Sequence, residues 1–231
     1  MYVQIEEHLK LRILQGEFPI GAAIPSEREL TEMFGVSRMT VRQSITNLVN
    51  NGLLYREKGR GTFVTTPKVE QPLSGLTSFT EDMIARGMTP SSMLVGFEKM
   101  IPELAIAQKL HLGEGEEVFL VKRIRYADEK PMAIEKTHLP VKLVPKLDED
   151  ALKGSLYSFI EKEQQMTIGH AMQRMEAALV TKEDANLLQI GSPSAILIIE
   201  RISYLTNCIP FEIVQSTYRA DRYQFLSEIR R

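Results

Sequence analysis

The chain has 231 residues, 43% of them hydrophobic and 25% charged, with a formal net charge of −2. This composition is that of a soluble globular protein large enough for one big domain or two smaller ones. It excludes a membrane-spanning helix, since no run of about 18 apolar residues occurs, and, with Cys208 as the one cysteine, an internal disulfide.

Met1 is followed by a polar, amphipathic stretch in place of an apolar leader core, and no Cys/His cluster has metal spacing. The expected setting is a reducing cytoplasm, with no metal, cofactor or membrane partner. The charge is unevenly placed. Residues 1–68 hold nine Lys/Arg against seven Asp/Glu, and residues 69–231 hold nineteen against twenty-three. Between Arg38 and Arg60 five basic residues face one acidic residue, Glu57. Distribution matters more than the sum where nucleic acid is concerned.

In chain order, "YVQIEEHLKLRILQG" spaces Ile5, Leu9 and Ile13 by four, with Leu14 beside them, which predicts a helix stopped by Gly16. "PSERELTEMFG" opens on a capping box, Ser26 with Glu29, and buries Leu30 and Phe34 before Gly35 ends it. "VSRMTVRQSITNLVNNG" has Ser37 as N-cap and an apolar stripe of Val41, Ile45, Leu48 and Val49. Arg38, Thr40, Arg42, Gln43 and Asn47 fall off that stripe. Two capped helices joined by "GV" make a helix-turn-helix whose second helix carries side chains that read base edges and hold phosphates. A plain three-helix bundle with a solvated polar face fits these helices equally well.

"LLYREKGRGTFV" discriminates. Its glycines sit between two short strands, whereas a phosphate-cradling loop runs from a strand into a helix. A β-wing follows, with Gly59 and Gly61 free to take positive φ and Arg60 long enough to reach a minor groove. Residues 25–64 resemble the DNA-binding domain of GntR-type bacterial transcriptional regulators. The resemblance implies DNA contacts from Arg28, Ser37, Arg38, Thr40, Arg42 and Gln43, and from Lys58, Gly59 and Arg60 of the wing. The family pattern places several residues ahead of its first helix, so it also implies a start slightly upstream of Met1.

The winged helix-turn-helix is expected over 1–66, and "PKVEQPLSG" (67–75), without periodicity, reads as a linker. In "LTSFTEDMIARGMTP", Ser78 and Glu81 form another capping box and Gly87 ends the helix. The start of that helix is either an anion site or simply a well-capped surface turn. In "EEVFLVKRIRY", alternation puts Phe119, Val121, Arg123 and Arg125 on one face, so either the arginines grip one anion together or the strand runs out into water. Residues 110–135 echo residues 188–213, with Arg123 matching Arg201 and Tyr126 matching Tyr204. A helix-plus-hairpin unit used twice predicts an antiparallel sheet with packed helices, an α+β fold, and a ligand cavity between the units.

Residues 70–231 resemble the UTRA effector-binding domain of the HutC-like GntR branch, whose fold is like that of chorismate lyase, and the domain itself is expected over 76–231. "GLTSFTEDMIARGMTP", "PMAIEKTHLP" and "YRADRYQF" carry the likeness, which is strongest to regulators of amino-sugar use. It implies a homodimer on palindromic double-stranded operator DNA, released by a phosphosugar such as N-acetylglucosamine 6-phosphate or glucosamine 6-phosphate. The phosphate would meet Ser78, Phe79, Thr80, Arg123 and Arg125, and the sugar hydroxyls Glu135, Ser155, Tyr157, Glu212 and Tyr218. "QMTIGHAMQRM" (165–175) matches least, and His170 there is expected to be a bystander. Glu135 and Glu212 could form an acid–base pair, but no nucleophile, metal set or cofactor motif accompanies them, so no catalytic residue and no enzyme is expected.

Overall fold

The computed structural model describes residues 1–57, 59–65, 68–73 and 75–229. The chain divides into two compact units, Met1–Val69 and Glu70–Arg231.

The first unit holds α1 (Tyr2–Leu14), α2 (Glu27–Phe34), α3 (Arg38–Asn50) and the hairpin of β1 (Leu54–Glu57) and β2 (Gly61–Val64). The local signals act as their chemistry dictates. Ser26 Oγ accepts from the Glu29 amide at 3.2 Å and the Glu29 carboxylate accepts from the Ser26 amide at 2.7 Å. Gly35, at φ 60°, closes α2 in the left-handed conformation, and Ser37 Oγ accepts from the Thr40 amide to start α3. The stripes converge on one core of Ile5, Leu9, Leu30, Val41, Ile45 and Leu48, with Leu54 and Val64 from the hairpin. Leu14 lies off that face and is 82% exposed.

The hairpin pairs Leu54 with Val64 through to Glu57 with Gly61, and Tyr55 stacks on Phe63 across it. A third segment, silent in the sequence, joins it. Ala23 bridges Phe63, and the Gly21 and Ile24 amides donate to Val64 and Thr62 carbonyls, each at 2.9 Å. The wing is thereby tied to the chain just ahead of α2.

The second unit carries most of β3 (Val69–Pro72), then α4 (Phe79–Ala85), β4 (Pro90–Met100), α5 (Leu104–Lys109), β5 (Val118–Ala127) and β6 (Lys130–Pro140). It continues with α6 (Glu149–Lys153), α7 (Leu156–Lys162), β7 (Ile168–Leu179), α8 (Lys182–Leu188), β8 (Ala195–Leu205), β9 (Pro210–Arg219) and β10 (Tyr223–Leu226). Residues 69–72 thus form a strand inside the stretch expected to be linker, and it pairs with β10.

Six strands make one antiparallel sheet in the order β4-β5-β6-β9-β8-β7. That order is a palindrome about the β6–β9 pair, the structural form of the internal echo. Each repeat is a strand–helix–hairpin. The sequence echo covers the helix and hairpin but not the leading strands β4 and β7, which lie at the two edges. The helix stops are equivalent as well: His111 and Gln189 take φ 53° and 54° at matching positions, so the turn falls ahead of Gly113 and Gly191.

Strand alternation sends the two faces of the sheet to different partners. Ile124, Ile134 and Ile196 pack under α8, while Val118 and Ile213 pack against Leu110 after α5. On the other face Val121, Leu139 and Phe211 meet Leu152, Leu156, Tyr157 and Ile160 around α6 and α7. The cavity described next opens on this second face.

Candidate functional site

The first unit presents the start of α3 and the wing to solvent. Ser37, Arg38, Arg42 and Gln43 are exposed, and Thr40 is half-buried beneath a 3.0 Å hydroxyl contact with Ser37. Arg42 and Arg28 hold loose surface pairs, to Glu27 at 3.6 Å and Glu32 at 3.2 Å. Arg38 has no ion-pair partner among the described residues. Gln43 donates to Asn47 at 2.8 Å. At the wing tip Gly59 takes φ 77°, and Arg60 folds back on Glu57 with its guanidinium 5.7 Å from the Phe63 ring. Lys58 lies outside the described residues. Exposed pairs of this kind are worth about 0–1 kcal/mol, so a phosphate exchanges for the carboxylate at little cost.

Arg56 was not expected here. It is exposed on β1, donates to Thr46 of α3 at 3.1 Å and lies 3.8 Å from Glu27. The basic run from 38 to 60 contains it, but only the pairing of β1 brings it beside α3.

In the second unit a cavity of about 570 Å³, counting space open to solvent, lies between the start of α4, the turn into α7 and the floor of β5, β6, β9 and β8. All ten residues expected at the effector site line it: Ser78, Phe79, Thr80, Arg123, Arg125, Glu135, Ser155, Tyr157, Glu212 and Tyr218. Gln71, Arg201, Val214 and Ser216 line it too and were missed. For Arg201 a signal existed, its place opposite Arg123 in the internal echo. His170 is not among the lining residues. It stacks on Tyr204, with ring centroids 4.7 Å apart.

Arg123 and Arg125, two apart on β5, are each 3% exposed, so the strand does not run out into water. Glu135 sits opposite Arg123 on β6, and its carboxylate accepts from Arg123 at 3.0 Å and from Arg125 at 3.1 Å. Arg125 also donates to Thr80 Oγ1 at 2.9 Å and lies 4.6 Å over the Phe79 ring, which locks it to the start of α4. The Nε atoms of both arginines are buried and without hydrogen-bond partners. Burial works to raise the Glu135 pKa, but the charges and hydrogen bonds of Arg125 and Arg123 hold it below the ordinary carboxylate value. Two buried cations thus share one carboxylate.

The other carboxylate is in a different state. Glu212 Oε2 accepts from Ser203 at 2.9 Å and from Tyr157 at 3.2 Å, and burial pushes its pKa up from the ordinary value. Burial also raises Tyr157, and it pushes Tyr218 up to about 12 with help from the Glu135 charge. Both phenols therefore remain neutral hydrogen-bonding groups. Around the mouth, Ser78 and Glu81 form the reciprocal cap of α4, and Asp82 accepts from Thr77 at 2.8 Å and from Gln71 of β3. The set offers charge, donors and acceptors for a polar anion, with no carboxylate left unbonded as a free base. Among the described residues no cluster suited to a metal ion occurs, and no helix is long and apolar enough to cross a membrane.

A winged helix-turn-helix in one unit and a polar cavity in the other are the parts of a DNA-binding regulator with an effector-binding domain, and sequence comparison agrees. Residues 1–64 match the gntR family of bacterial regulatory proteins and residues 85–224 match the UTRA domain. The chain belongs to the GntR family and is a DNA-binding transcriptional regulator with a UTRA effector domain. It is 47% identical over 98% of its length to the HTH-type transcriptional repressor NagR of Bacillus subtilis, covering 93% of that protein. It is 35% identical over 97% of its length to the mannosyl-D-glycerate transport/metabolism system repressor MngR of Escherichia coli, covering 94% of it. Among solved structures, PhnF from Mycobacterium smegmatis superposes with a TM-score of 0.73 at 30% identity, over 97% of this chain and 98% of that one. These relatives are regulators, not enzymes, and GntR regulators typically bind DNA as dimers.

Proposed function

We propose that the protein is a repressor of amino-sugar uptake or catabolism genes. It binds a palindromic operator as a homodimer and is released by a phosphosugar, N-acetylglucosamine 6-phosphate or glucosamine 6-phosphate. The observation that carries the effector reading is the Arg123–Arg125 pair. Two buried guanidiniums face one cavity, share a single carboxylate and keep unpartnered Nε atoms. A phosphate would supply the missing negative charge and bidentate acceptors. Tyr157, Ser155 and Tyr218 supply neutral donors and acceptors for hydroxyls, and the Glu212 carboxyl group adds an acceptor. The resemblance of the second domain to regulators of amino-sugar use, carried by "GLTSFTEDMIARGMTP", "PMAIEKTHLP" and "YRADRYQF", supports the sugar class.

Twofold protein symmetry matches a twofold DNA site, with Arg38, Arg42 and Gln43 of α3 on base edges and phosphates, and Arg56 and Arg60 on the backbone or minor groove. Release requires the ligand to prefer an arrangement of the two DNA-binding heads that does not span the operator. A coupling of about 1–3 kcal/mol changes affinity about 5–150-fold. The test is a thermal-shift screen of the full chain against phosphosugars and their unphosphorylated parents, paired with operator release. Phosphosugars are expected to stabilise the protein and free the DNA while the parent sugars do neither. Arg123→Met with Arg125→Met is expected to keep DNA binding and lose release. A double variant that still responds normally would place the anion site elsewhere.

A further inference from the structure

The internal echo sets Arg201 of β8 where the first repeat has Arg123, and both side chains line the same cavity. Their company differs. Arg123 has Glu135, whereas Arg201 reaches neutral groups: the Thr77 carbonyl at 3.4 Å, Gln173 Oε1 at 3.3 Å and the Tyr157 hydroxyl. Among the described residues no carboxylate lies within ion-pair distance of Arg201.

The strand register sets what surrounds it. Arg201 pairs with Val214, Ile199 with Ser216, and Ser203 with Glu212, so one face of β8 and β9 carries Ile199, Arg201, Val214 and Glu212 into the cavity. This half of the floor therefore offers a cationic donor, a carboxyl acceptor and two apolar side chains together. The described hydrogen bonds to Glu212, from Tyr157 and Ser203, both end on Oε2, and none ends on Oε1.

An amide matches that set group by group. Its carbonyl accepts from Arg201, its N–H donates to Glu212 Oε1, and its methyl covers Ile199 and Val214. A free ammonium in the same place would face the Arg201 charge and leave the apolar pair against water. The upward push on the Glu212 pKa weakens it further as an ammonium partner. We infer that this end of the cavity is an N-acyl subsite, in which Arg201 is a specificity-determining residue selecting N-acylated amino-sugar phosphates over the free amine. The inference rests on the phosphosugar reading of the cavity and deepens it.

The experiment is titration calorimetry on the full chain with N-acetylglucosamine 6-phosphate, glucosamine 6-phosphate and glucose 6-phosphate. The wild type is expected to bind the acetylated sugar about tenfold or more tighter than the other two, a difference of about 1.4 kcal/mol. In Arg201→Met that preference shrinks to within about threefold, with the amine and glucose phosphates held as before. Operator binding by the variant without ligand shows that it is folded. Val214→Leu is the second arm: its added bulk in the methyl position weakens only the acetylated ligand, and it carries the test if Arg201→Met does not fold. A wild type that prefers the amine, or variants that weaken all three ligands alike, overturns the subsite. If none of the three binds the wild type, the phosphosugar reading falls, and the subsite with it.

Discussion

Glu135→Gln isolates the charge balance at the cavity floor. The substitution keeps size and one carbonyl acceptor but removes the counter-charge that Arg123 and Arg125 share at 3.0 and 3.1 Å. Taking one partner from a buried ion pair costs about 3–5 kcal/mol, because the remaining charge is left without compensation. The amide oxygen keeps one hydrogen bond worth about 1 kcal/mol, so the expected loss is about 2–4 kcal/mol. At about 2–4 °C per kcal/mol for a domain of this size, the melting temperature falls by about 5–15 °C. The pH dependence has a definite sign. The folded Glu135 pKa lies below its unfolded value, so its contribution is complete above about pH 4.3 and is lost as pH falls through the folded value. The gap between wild type and variant should therefore close in acid. Anion binding should move the opposite way, since no carboxylate competes for the arginines. Inorganic phosphate should raise the variant's melting temperature more than that of the wild type. Differential scanning calorimetry at neutral and acid pH, with and without phosphate, makes the comparison. A variant melting within about 1 °C of wild type, or equal phosphate shifts in both, would refute the shared-carboxylate account.

Arg38→Ala and Arg42→Ala should each weaken operator binding and lower the slope of log affinity against log salt by about 0.9 for each phosphate no longer neutralised, with sugar-phosphate binding unchanged. Loss of both activities together would mark misfolding instead of a separate DNA face. Glu212→Gln should have the pH signature opposite to that of Glu135→Gln. A carboxyl whose folded pKa is raised contributes stability below its unfolded value and loses it as pH rises through the folded one, so the variant should gain on wild type between acid and neutral pH. Denaturant unfolding at several pH values reads this directly, and a gap that does not change with pH counts against a raised Glu212. Ser26→Ala removes the reciprocal cap of α2 and should cost about 0.5–2 kcal/mol in the same assay, whereas no measurable cost would mean that the cap is redundant.

Much of the fold was legible in one dimension because its signals are local. A hydroxyl residue three positions ahead of a glutamate specifies its own cap, as Ser26 and Ser78 do, and Ser37 caps α3 through its hydroxyl alone. Apolar residues four apart find one face, so the helical part of the first unit's core, Ile5, Leu9, Leu30, Val41, Ile45 and Leu48, could be named in advance, while exposed Leu14 could not be told apart and Ile24, Leu54 and Val64 were added by packing. The internal echo carried the hairpins, and through them the palindromic sheet. It did not carry β4 and β7, since edge strands open to solvent need no shared apolar pattern. The ten effector-site positions came from family likeness, because no periodicity joins Thr80 to Tyr218.

Other features are decided by chain segments far apart in sequence, and only packing brings those together. Strand alternation left Arg123 and Arg125 between two fates, a buried pair or a frayed strand end. Glu135 on β6 and Thr80 on α4 decide between them, by offsetting the burial of two cations. Arg56 reaches α3 because β1 returns beside it, Gln71 enters the cavity because β3 pairs with β10, and Arg201 faces Arg123's cavity because the repeats meet at β6 and β9. Alternation can assign a side chain to one face of a sheet, but what that face meets depends on which elements fold over it.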